Sequence, residues 1–455
     1  MGDAPRRTKR LFGTNGVRGE VGKDMYPDLV LRIGLALGSL RSGSILVGRD
    51  TRTSGPALSS ALQAGLMAVG CRVADAGILP TPALQYAVGK EYNGGAMVTA
   101  SHNPPEYNGV KIIDADGTEM GDDEIILLED RIFSDRIPTV SWDRVGTVSL
   151  APHVPEEYVQ GVCSHFPEGV GEGMTVVVDP GSGAGCATTP AILAQLGCRV
   201  HTINARMDGT FPGRDPEPSP EALAPLAGMV RATGAAFGAA HDGDADRTVF
   251  VDGEGRYLEE NREFALIARH LLRERRGTVV MPVSTSRLVE KVAALAGCRV
   301  DYTPVGSIYV ARRMRELLAA GTPMAMGGEG NGGLIFPDHQ FCRDGGMTAA
   351  MMVSFLSATG RSLSALADEL PAMILIKEKI RTTRARDAVS LLEKAFSGED
   401  LDRTDGIRLN REDAWALVRP SGTEPLLRIL VEADEKETAE ALHREIRTIL
   451  KGAGI

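Results

Sequence analysis

A chain of 455 residues is too long for one hydrophobic core, and ordinary domain sizes predict about three or four domains. With 43% hydrophobic and 24% charged residues it reads as neither disordered nor fibrous, and a net charge of −10 excludes the broad basic field that a nucleic-acid backbone or an anionic membrane surface demands. Residues 1–10 are basic but lead into Leu11-Phe12-Gly13 without an apolar signal core, and no uninterrupted apolar run reaches membrane length. A cytoplasmic protein with no nucleic-acid or membrane partner is expected. The six cysteines (71, 163, 186, 198, 298 and 342) never form Cys-x-x-Cys, which fits buried reduced thiols better than zinc ligands or disulfides.

The chain opens on a glycine-rich loop, Phe12-Gly13-Thr14-Asn15-Gly16-Val17-Arg18-Gly19. It lacks the lysine and spacing of a Walker loop, and Arg18 is its candidate phosphate partner. An apolar strand is predicted at 44–48, then a polar loop at 49–54 suited to binding an anion or capping a helix, then an amphipathic helix at 57–69. That helix stops at Gly70-Cys71-Arg72-Val73, and the same tetrapeptide recurs at 197–200 and 297–300. Each copy follows a strand (174–178 and 278–281 in the later cases) and a helix (187–196 and 286–296), and precedes another strand. The repeat therefore predicts three βαβ units, each a small α/β layer with parallel strands. Downstream of each copy a small-residue strand runs into a polar loop: Ser101-His102-Asn103, then 242–247, then 327–333. Ligands of open α/β sheets bind beyond the carboxyl ends of strands, so the three loops could meet in one cleft. From about residue 373 the pattern changes to strands at 374–376, 407–409, 414–418 and 426–431, with helices at 388–396 and at the end of the chain, where Ala439, Leu442, Ile446 and Leu450 share a face. This reads as a smaller α+β domain. Boundaries are expected near residues 151, 253 and 370.

Four stretches carry candidate chemistry. Ser101 ends an apolar strand and is followed by His102, by Pro104-Pro105, which block further strand or helix, and by Lys111. The serine is either a turn residue bonding its own backbone or a nucleophile with basic groups nearby. Asp242-Gly243-Asp244-Ala245-Asp246 can aim three carboxylates at one hard cation such as Mg²⁺; an EF-hand is excluded, because Arg247 stands where that loop needs glycine and Gly253 where it needs glutamate. Glu329 and Asn331, among five glycines, suit a neutral polyol or simply a hairpin; nearby, Asp344 could cap the helix from Met347 and Arg343 could face a cleft. Arg419-Pro420-Ser421-Gly422-Thr423-Glu424-Pro425 joins two strands and offers a guanidinium, hydroxyls and a backbone nest to a phosphate, or is a plain turn.

In chain order, Phe-Gly-Thr-Asn-Gly-Val-Arg-Gly, Thr-Ala-Ser-His-Asn-Pro, Asp-Gly-Asp-Ala-Asp-Arg, Gly-Glu-Gly-Asn-Gly and Arg-Pro-Ser-Gly-Thr-Glu-Pro resemble the motifs of the α-D-phosphohexomutases. The opening loop and the Glu-Gly-Asn-Gly-Gly loop are most similar to archaeal-type phosphoglucosamine mutases. The resemblance implies an α/β protein with three similar domains of mixed, mainly parallel sheets plus a smaller C-terminal α+β domain, arranged around one central cleft. It implies a phosphoserine domain at 1–150, a metal-binding domain at 151–253, a sugar-binding domain at 254–370 and a phosphate-binding domain at 371–455. Ser101 would carry a phosphoryl group and, with Asp242, Asp244 and Asp246, hold Mg²⁺. Arg18, Arg247 and Lys111 would supply positive charge, and His102 or Lys111 would shuttle the hydroxyl proton. Glu329, Asn331 and Arg343 would contact the sugar, and Arg419, Ser421, Gly422 and Thr423 the phosphate that stays in place. The implied reaction moves a phosphoryl group between the 6- and 1-positions of a hexose phosphate through a hexose 1,6-bisphosphate, with glucosamine 6-phosphate as the expected substrate. The Glu-x-Ser of glucose- and mannose-type members is absent, as is the Gly-His of their preceding loop, at Thr303–Ser307 here.

Overall fold

The computed structural model describes residues 9–134, 136–421 and 425–455. The chain forms two compact units, one running to Glu263 and including Asn331–Ala365, the other comprising Phe264–Gly330 and Leu366–Ile455.

In the first unit, β1 (Val17–Glu20), β2 (Ser44–Arg49), β3 (Arg72–Ile78), β4 (Gly94–Val98), β5 (Tyr107–Asp114) and β6 (Val148–Leu150) form a sheet of order β1-β5-β4-β2-β3-β6. Its centre is parallel (β4, β2, β3 and β6), whereas β5 returns antiparallel to β4 and pairs with β1. Helices Pro27–Leu40 and Gly55–Ala68 cover one face, so that Ile33, Leu37, Leu62 and Leu66 bury against Ile45, Val47, Ala96 and Val98. A second sheet, built from β7 (Thr175–Asp179), β8 (Arg199–Thr202), β9 (Phe237–His241), β10 (Thr248–Asp252) and β11 (Tyr257–Leu258), has the order β11-β10-β9-β7-β8. Strands β8, β7 and β9 are parallel and β10 is antiparallel to β9.

In the second unit, β12 (Thr278–Pro282) lies between β13 (Val300–Thr303) and β14 (Met324–Glu329), parallel to both. The chain then passes through β15 (Gly333–Ile335), a segment of the first unit. The C-terminal sheet joins β16 (Ile374–Arg381), β17 (Asp400–Asp402), β18 (Ile407–Asn410), β19 (Ala414–Pro420) and β20 (Leu426–Ala433) in the order β16-β20-β19-β18-β17, antiparallel throughout. Ala439, Leu442, Ile446 and Leu450 of the closing helix, Lys436–Gly452, bury against it as the pattern required. Arg408 stacks between the rings of Tyr302 and Trp415, 4.6 and 4.4 Å from their centroids, and donates to the Val283 carbonyl, tying the third and fourth sheets together.

The threefold repeat is a structural one. In each copy a strand, a helix and a glycine stop lead to a parallel neighbour, and Gly70, Gly197 and Gly297 all have positive φ, where a side chain would be strained. Three expectations change. The second helix is only Thr189–Gln195, because Pro190 sets its start and a 3₁₀ turn, Ala184–Ala187, precedes it. The third polar loop is shorter than expected, because β14 keeps pairing with β12 as far as Gly327 and runs on to Glu329. All six cysteines are free; Cys71, Cys198 and Cys342 are buried, and Cys163, Cys186 and Cys298 are half-buried. Among the described residues no helix is long and apolar enough to cross a membrane.

Candidate active site

Ser101 sits at the tip of the β4–β5 hairpin. The strand ends at Val98, Pro104-Pro105 prevent its continuation, and the chain turns with Ser101 in the left-handed region at φ 51°. For a non-glycine residue that conformation costs about 1–2 kcal/mol, so the surroundings must hold it. Thr99 Oγ1 accepts from the Ser101 N–H at 2.9 Å. The returning strand places Lys111 opposite Met97, and β1 places Arg18 opposite Gly109, so three adjacent strands bring Ser101, Lys111 and Arg18 together. Arg18 donates to Asn103 Oδ1 at 3.1 Å within the serine loop.

The second hairpin, β9–β10, carries Asp242, Asp244 and Asp246 in its turn, where Ala245 also takes a left-handed φ of 54°. One oxygen from each carboxylate lies within 4.8 Å of the others. Ser101 Oγ donates to Asp242 Oδ2 at 2.8 Å, so the serine and carboxylate loops meet directly. The close approach needs Gly243, because a Cβ there would stand 2.5 Å from the Ser101 carbonyl oxygen.

Lys111 Nζ donates to Asp244 Oδ2 at 2.6 Å and Asp246 Oδ2 at 2.9 Å, Thr81 Oγ1 donates to Asp244 Oδ2 at 2.5 Å, and Arg343 Nη2 donates to Asp246 Oδ2 at 2.6 Å. The other oxygens, Asp244 Oδ1 and Asp246 Oδ1, are buried and accept no hydrogen bond. Buried carboxylate oxygens without donors are costly unless something positive completes them. Burial and the adjacent Asp246 and Asp244 push the Asp242 carboxyl up to about 7, while Arg343 and Lys111 hold Asp246 well below the usual carboxylate range. An all-oxygen set with two orphaned atoms and one carboxyl raised by its neighbours fits a hard divalent cation such as Mg²⁺.

His102 and Lys111, the expected proton shuttles, both lie against charged partners of the two loops. Arg247 Nη2 donates to His102 Nδ1 at 2.7 Å, which occupies the lone pair that faces Ser101 Oγ, 3.3 Å away. Burial and the charges of Arg247 and Arg18 depress the imidazole to about 2, so it is neutral at physiological pH. Lys111 is buried and held above its ordinary value by Asp244 and Asp246 against its own desolvation, its ammonium shared between the two carboxylates. Arg247 bridges the site, with its backbone N–H 3.3 Å from Asp242 Oδ1 and its Nε 3.7 Å from Asp242 and 3.8 Å from Asp246. Sequence reading missed Thr81, whose only signal is a hydroxyl at a helix start, and the buried pair Asp179–Arg214; in the 49–54 loop, expected to bind an anion or cap a helix, Asp50 and Arg52 instead form a buried pair that acts on backbone atoms.

Asn331 belongs to the same unit, and its Oδ1 accepts from Gly333 N at 3.2 Å, stabilising a turn. Asp344 caps the helix Gly345–Thr359 by accepting from Met347 N at 2.8 Å, as its position suggested. In the other unit, Glu329 is the last residue of β14 and is buried. Arg419 on β19 pairs with Asp405 at 3.0 Å, and Asp405 also accepts from Val305 N at 3.0 Å. One carboxylate thus joins the candidate phosphate arginine to the 303–307 loop. The Ser421 N–H is spent on Leu426 O, and Gly422 and Thr423 lie outside the described residues.

Residues 9–137 match the phosphoglucomutase/phosphomannomutase alpha/beta/alpha domain I, 156–255 domain II, 259–374 domain III and 377–449 the C-terminal domain. A phosphoglucomutase/phosphomannomutase from Thermococcus kodakarensis is 42% identical over 94% of this chain and 96% of its own length. A phosphoglucosamine/phosphogalactosamine mutase from Sulfurisphaera tokodaii is 37% identical over 97% and 99%. Among solved structures, a phosphoglucomutase/phosphomannomutase family protein from Burkholderia thailandensis superposes with a TM-score of 0.86 at 27% identity, covering 98% of both chains. This chain therefore belongs to the phosphoglucomutase/phosphomannomutase family, the phosphohexomutases, and is an isomerase of the intramolecular phosphotransferase type.

Proposed function

We propose that the protein interconverts glucosamine 6-phosphate and glucosamine 1-phosphate, with Ser101 as the phosphoryl carrier. The observation that carries this reading is the 2.8 Å contact of Ser101 Oγ with Asp242, which seats a buried hydroxyl on a trio of carboxylates. Mg²⁺, held by Asp242, Asp244, Asp246 and an oxygen of phosphorylated Ser101, would neutralise charge on the transferring group. Phosphoserine transfers its phosphoryl group to the free hydroxyl of the hexose monophosphate: the P–Oγ bond breaks, a P–O bond to the sugar forms, and the proton of the sugar hydroxyl ends on the leaving Ser101 Oγ. The hexose 1,6-bisphosphate then reorients and returns its other phosphoryl group to Ser101. Arg18 and Arg247 draw the phosphate oxygens, Lys111 balances the carboxylates of Asp244 and Asp246 and holds them in place, and neutral His102 orients Arg247 beside Ser101. Glu329, Asn331 and Arg343 select the sugar, and the loop Arg419–Thr423 grips the phosphate that is not transferred. On this reading residues 1–150, 151–253, 254–370 and 371–455 supply the serine, the metal carboxylates, the sugar contacts and the second phosphate site.

Glucosamine is favoured because the Glu329-Gly330-Asn331-Gly332-Gly333 loop lacks the serine of glucose- and mannose-type members, and because a relative of nearly equal length is named for glucosamine and galactosamine phosphates. The substrate test compares kcat/KM for the 1-phosphates of glucosamine, glucose and mannose with a trace of the matching bisphosphate. Glucosamine 1-phosphate should lead, and a clear preference for glucose or mannose overturns the substrate assignment. Ser101→Ala should remain folded and lose turnover by about 10⁴-fold or more, whereas full activity in that variant overturns the carrier.

A further inference from the structure

The first two sheets hold their functional loops with the same device. Asp50 directly follows β2 and Asp179 ends β7, the central strands of the two sheets. Each aspartate accepts through Oδ1 from the backbone N–H two residues on (Arg52 at 3.0 Å, Gly181 at 2.8 Å), and each uses Oδ2 to bind an arginine Nε at 3.0 Å, Arg52 in one case and Arg214 in the other. Both ion pairs are buried. Each guanidinium then reaches the backbone of the loop that carries the chemistry.

Arg52 uses every N–H it has. Beyond Asp50, Nη2 donates to the carbonyls of Ser101 (2.8 Å) and Asn103 (2.6 Å), and Nη1 to those of Pro104 (2.5 Å) and Tyr107 (2.9 Å). The same aspartate accepts from Thr99 Oγ1 at 2.6 Å, and Thr99 accepts from the Ser101 N–H. One ion pair therefore fixes both the N–H and the C=O of the residue held at positive φ. Arg214 donates to the carbonyls of Asp179 (3.1 Å), Asp215 (3.0 Å) and His241 (2.6 Å), the last being the peptide just before Asp242. The two clamped loops touch where Gly243 passes over the Ser101 carbonyl, the atom Arg52 holds. In the third repeat β12 is followed by Val283-Ser284-Thr285, with no carboxylate, and its downstream loop carries neither a serine nor an aspartate.

We propose that Arg52 and Arg214 are positioning residues that set the separation between Ser101 and the Asp242 carboxylate loop, Arg52 by fixing the serine backbone and Arg214 by fixing the peptide before Asp242. This rests on the reading of Ser101 as phosphoryl carrier. A lysine in either place keeps the charge but presents its donors from one point and cannot span three or four carbonyls. Arg52→Lys and Arg214→Lys, with the exposed Arg72→Lys as control, should therefore fold and separate the two functions. Arg52→Lys should lower kcat about 100-fold with KM changed less than about threefold, and should slow phosphorylation of Ser101 by glucose 1,6-bisphosphate followed by mass spectrometry. Arg214→Lys should weaken Mn²⁺ binding, titrated directly without substrate, by about tenfold or more. Arg72→Lys should change none of these. If a lysine variant does not fold, Asp50→Asn or Asp179→Asn is measured by the same readouts, since asparagine keeps the Oδ1 acceptor and replaces Oδ2, the acceptor of the arginine Nε, with an amide donor. Folded variants with kcat, Ser101 phosphorylation and Mn²⁺ affinity within about twofold of wild type overturn the proposal; so does unfolding of both the lysine and the asparagine variants, which would make the pairs structural. Full turnover by Ser101→Ala would instead overturn the carrier reading, a result independent of the clamps.

Discussion

The first two repeats and the third share one backbone plan and differ in what sits at its end. In all three a central strand lies parallel between its two neighbours, β3-β2-β4, β8-β7-β9 and β13-β12-β14, with a left-handed glycine before the second strand. In the first two the end loops are buried, charged and tied by aspartate–arginine pairs; in the third the turn after β12 is Val283-Ser284-Thr285, and the Thr285 hydroxyl is buried without a partner. Apolar packing suffices to build the layer. Among the described residues of the three repeats, the ionic clamps stand beside the strained serine and the three crowded carboxylates.

The largest stability effect should come from breaking the charge balance in the first two repeats. Lys111→Met leaves Asp244 and Asp246 buried without their shared ammonium, and should cost about 3–5 kcal/mol in chemical denaturation. A loss below 1 kcal/mol would mean that Arg343 alone balances the carboxylates.

Asp242 should behave oppositely. Its folded-state pKa, about 7, is raised above the ordinary value, so its protonated form favours the fold. In chelator its contribution is fully present below about pH 4 and is lost as pH rises to about 7. Asp242→Asn should therefore stabilise the metal-free protein at pH 8 by on the order of 2–4 kcal/mol, with no gain at pH 4, while abolishing activity. An equal effect at both pH values would contradict the raised carboxyl. Asp246, whose pKa is lowered, contributes stability that is lost only as pH falls through the acid range, so the two windows separate.

The smallest effect belongs to the third repeat. Thr285→Val removes a buried hydroxyl that has no partner and should change unfolding free energy by less than about 1 kcal/mol, neutral or stabilising. A loss of several kcal/mol would show that this turn is as dependent on polar contacts as the other two.

Most of the architecture was legible because its signals are contiguous. Gly-Cys-Arg-Val marks each helix end, the apolar runs mark β2, β7 and β12, and Ala439, Leu442, Ile446 and Leu450 mark the closing helix. Less visible was β5, whose Tyr107-Asn108-Gly109-Val110-Lys111 stretch follows two prolines and mixes polar with apolar residues, although it is what carries Lys111 back beneath the serine. The carboxylate triplet was readable from its spacing. The basicity of His102 was not, since its neighbour Arg247 lies 145 residues away. Arg52 and Arg214 were illegible for another reason: their partners are carbonyl oxygens, which every residue has and which leave no mark in sequence.

The claim that Ser101 carries the phosphoryl group is tested most directly by labelling. The protein is incubated with Mg²⁺ and glucose 1,6-bisphosphate labelled in phosphate, the label is located by peptide mapping, and the labelled protein is then chased with unlabelled glucosamine 6-phosphate. The expected result is close to one label per chain on Ser101, released into hexose phosphate within the time of a turnover. Steady turnover with Ser101 unlabelled, or with its label retained through the chase, would contradict the mechanism.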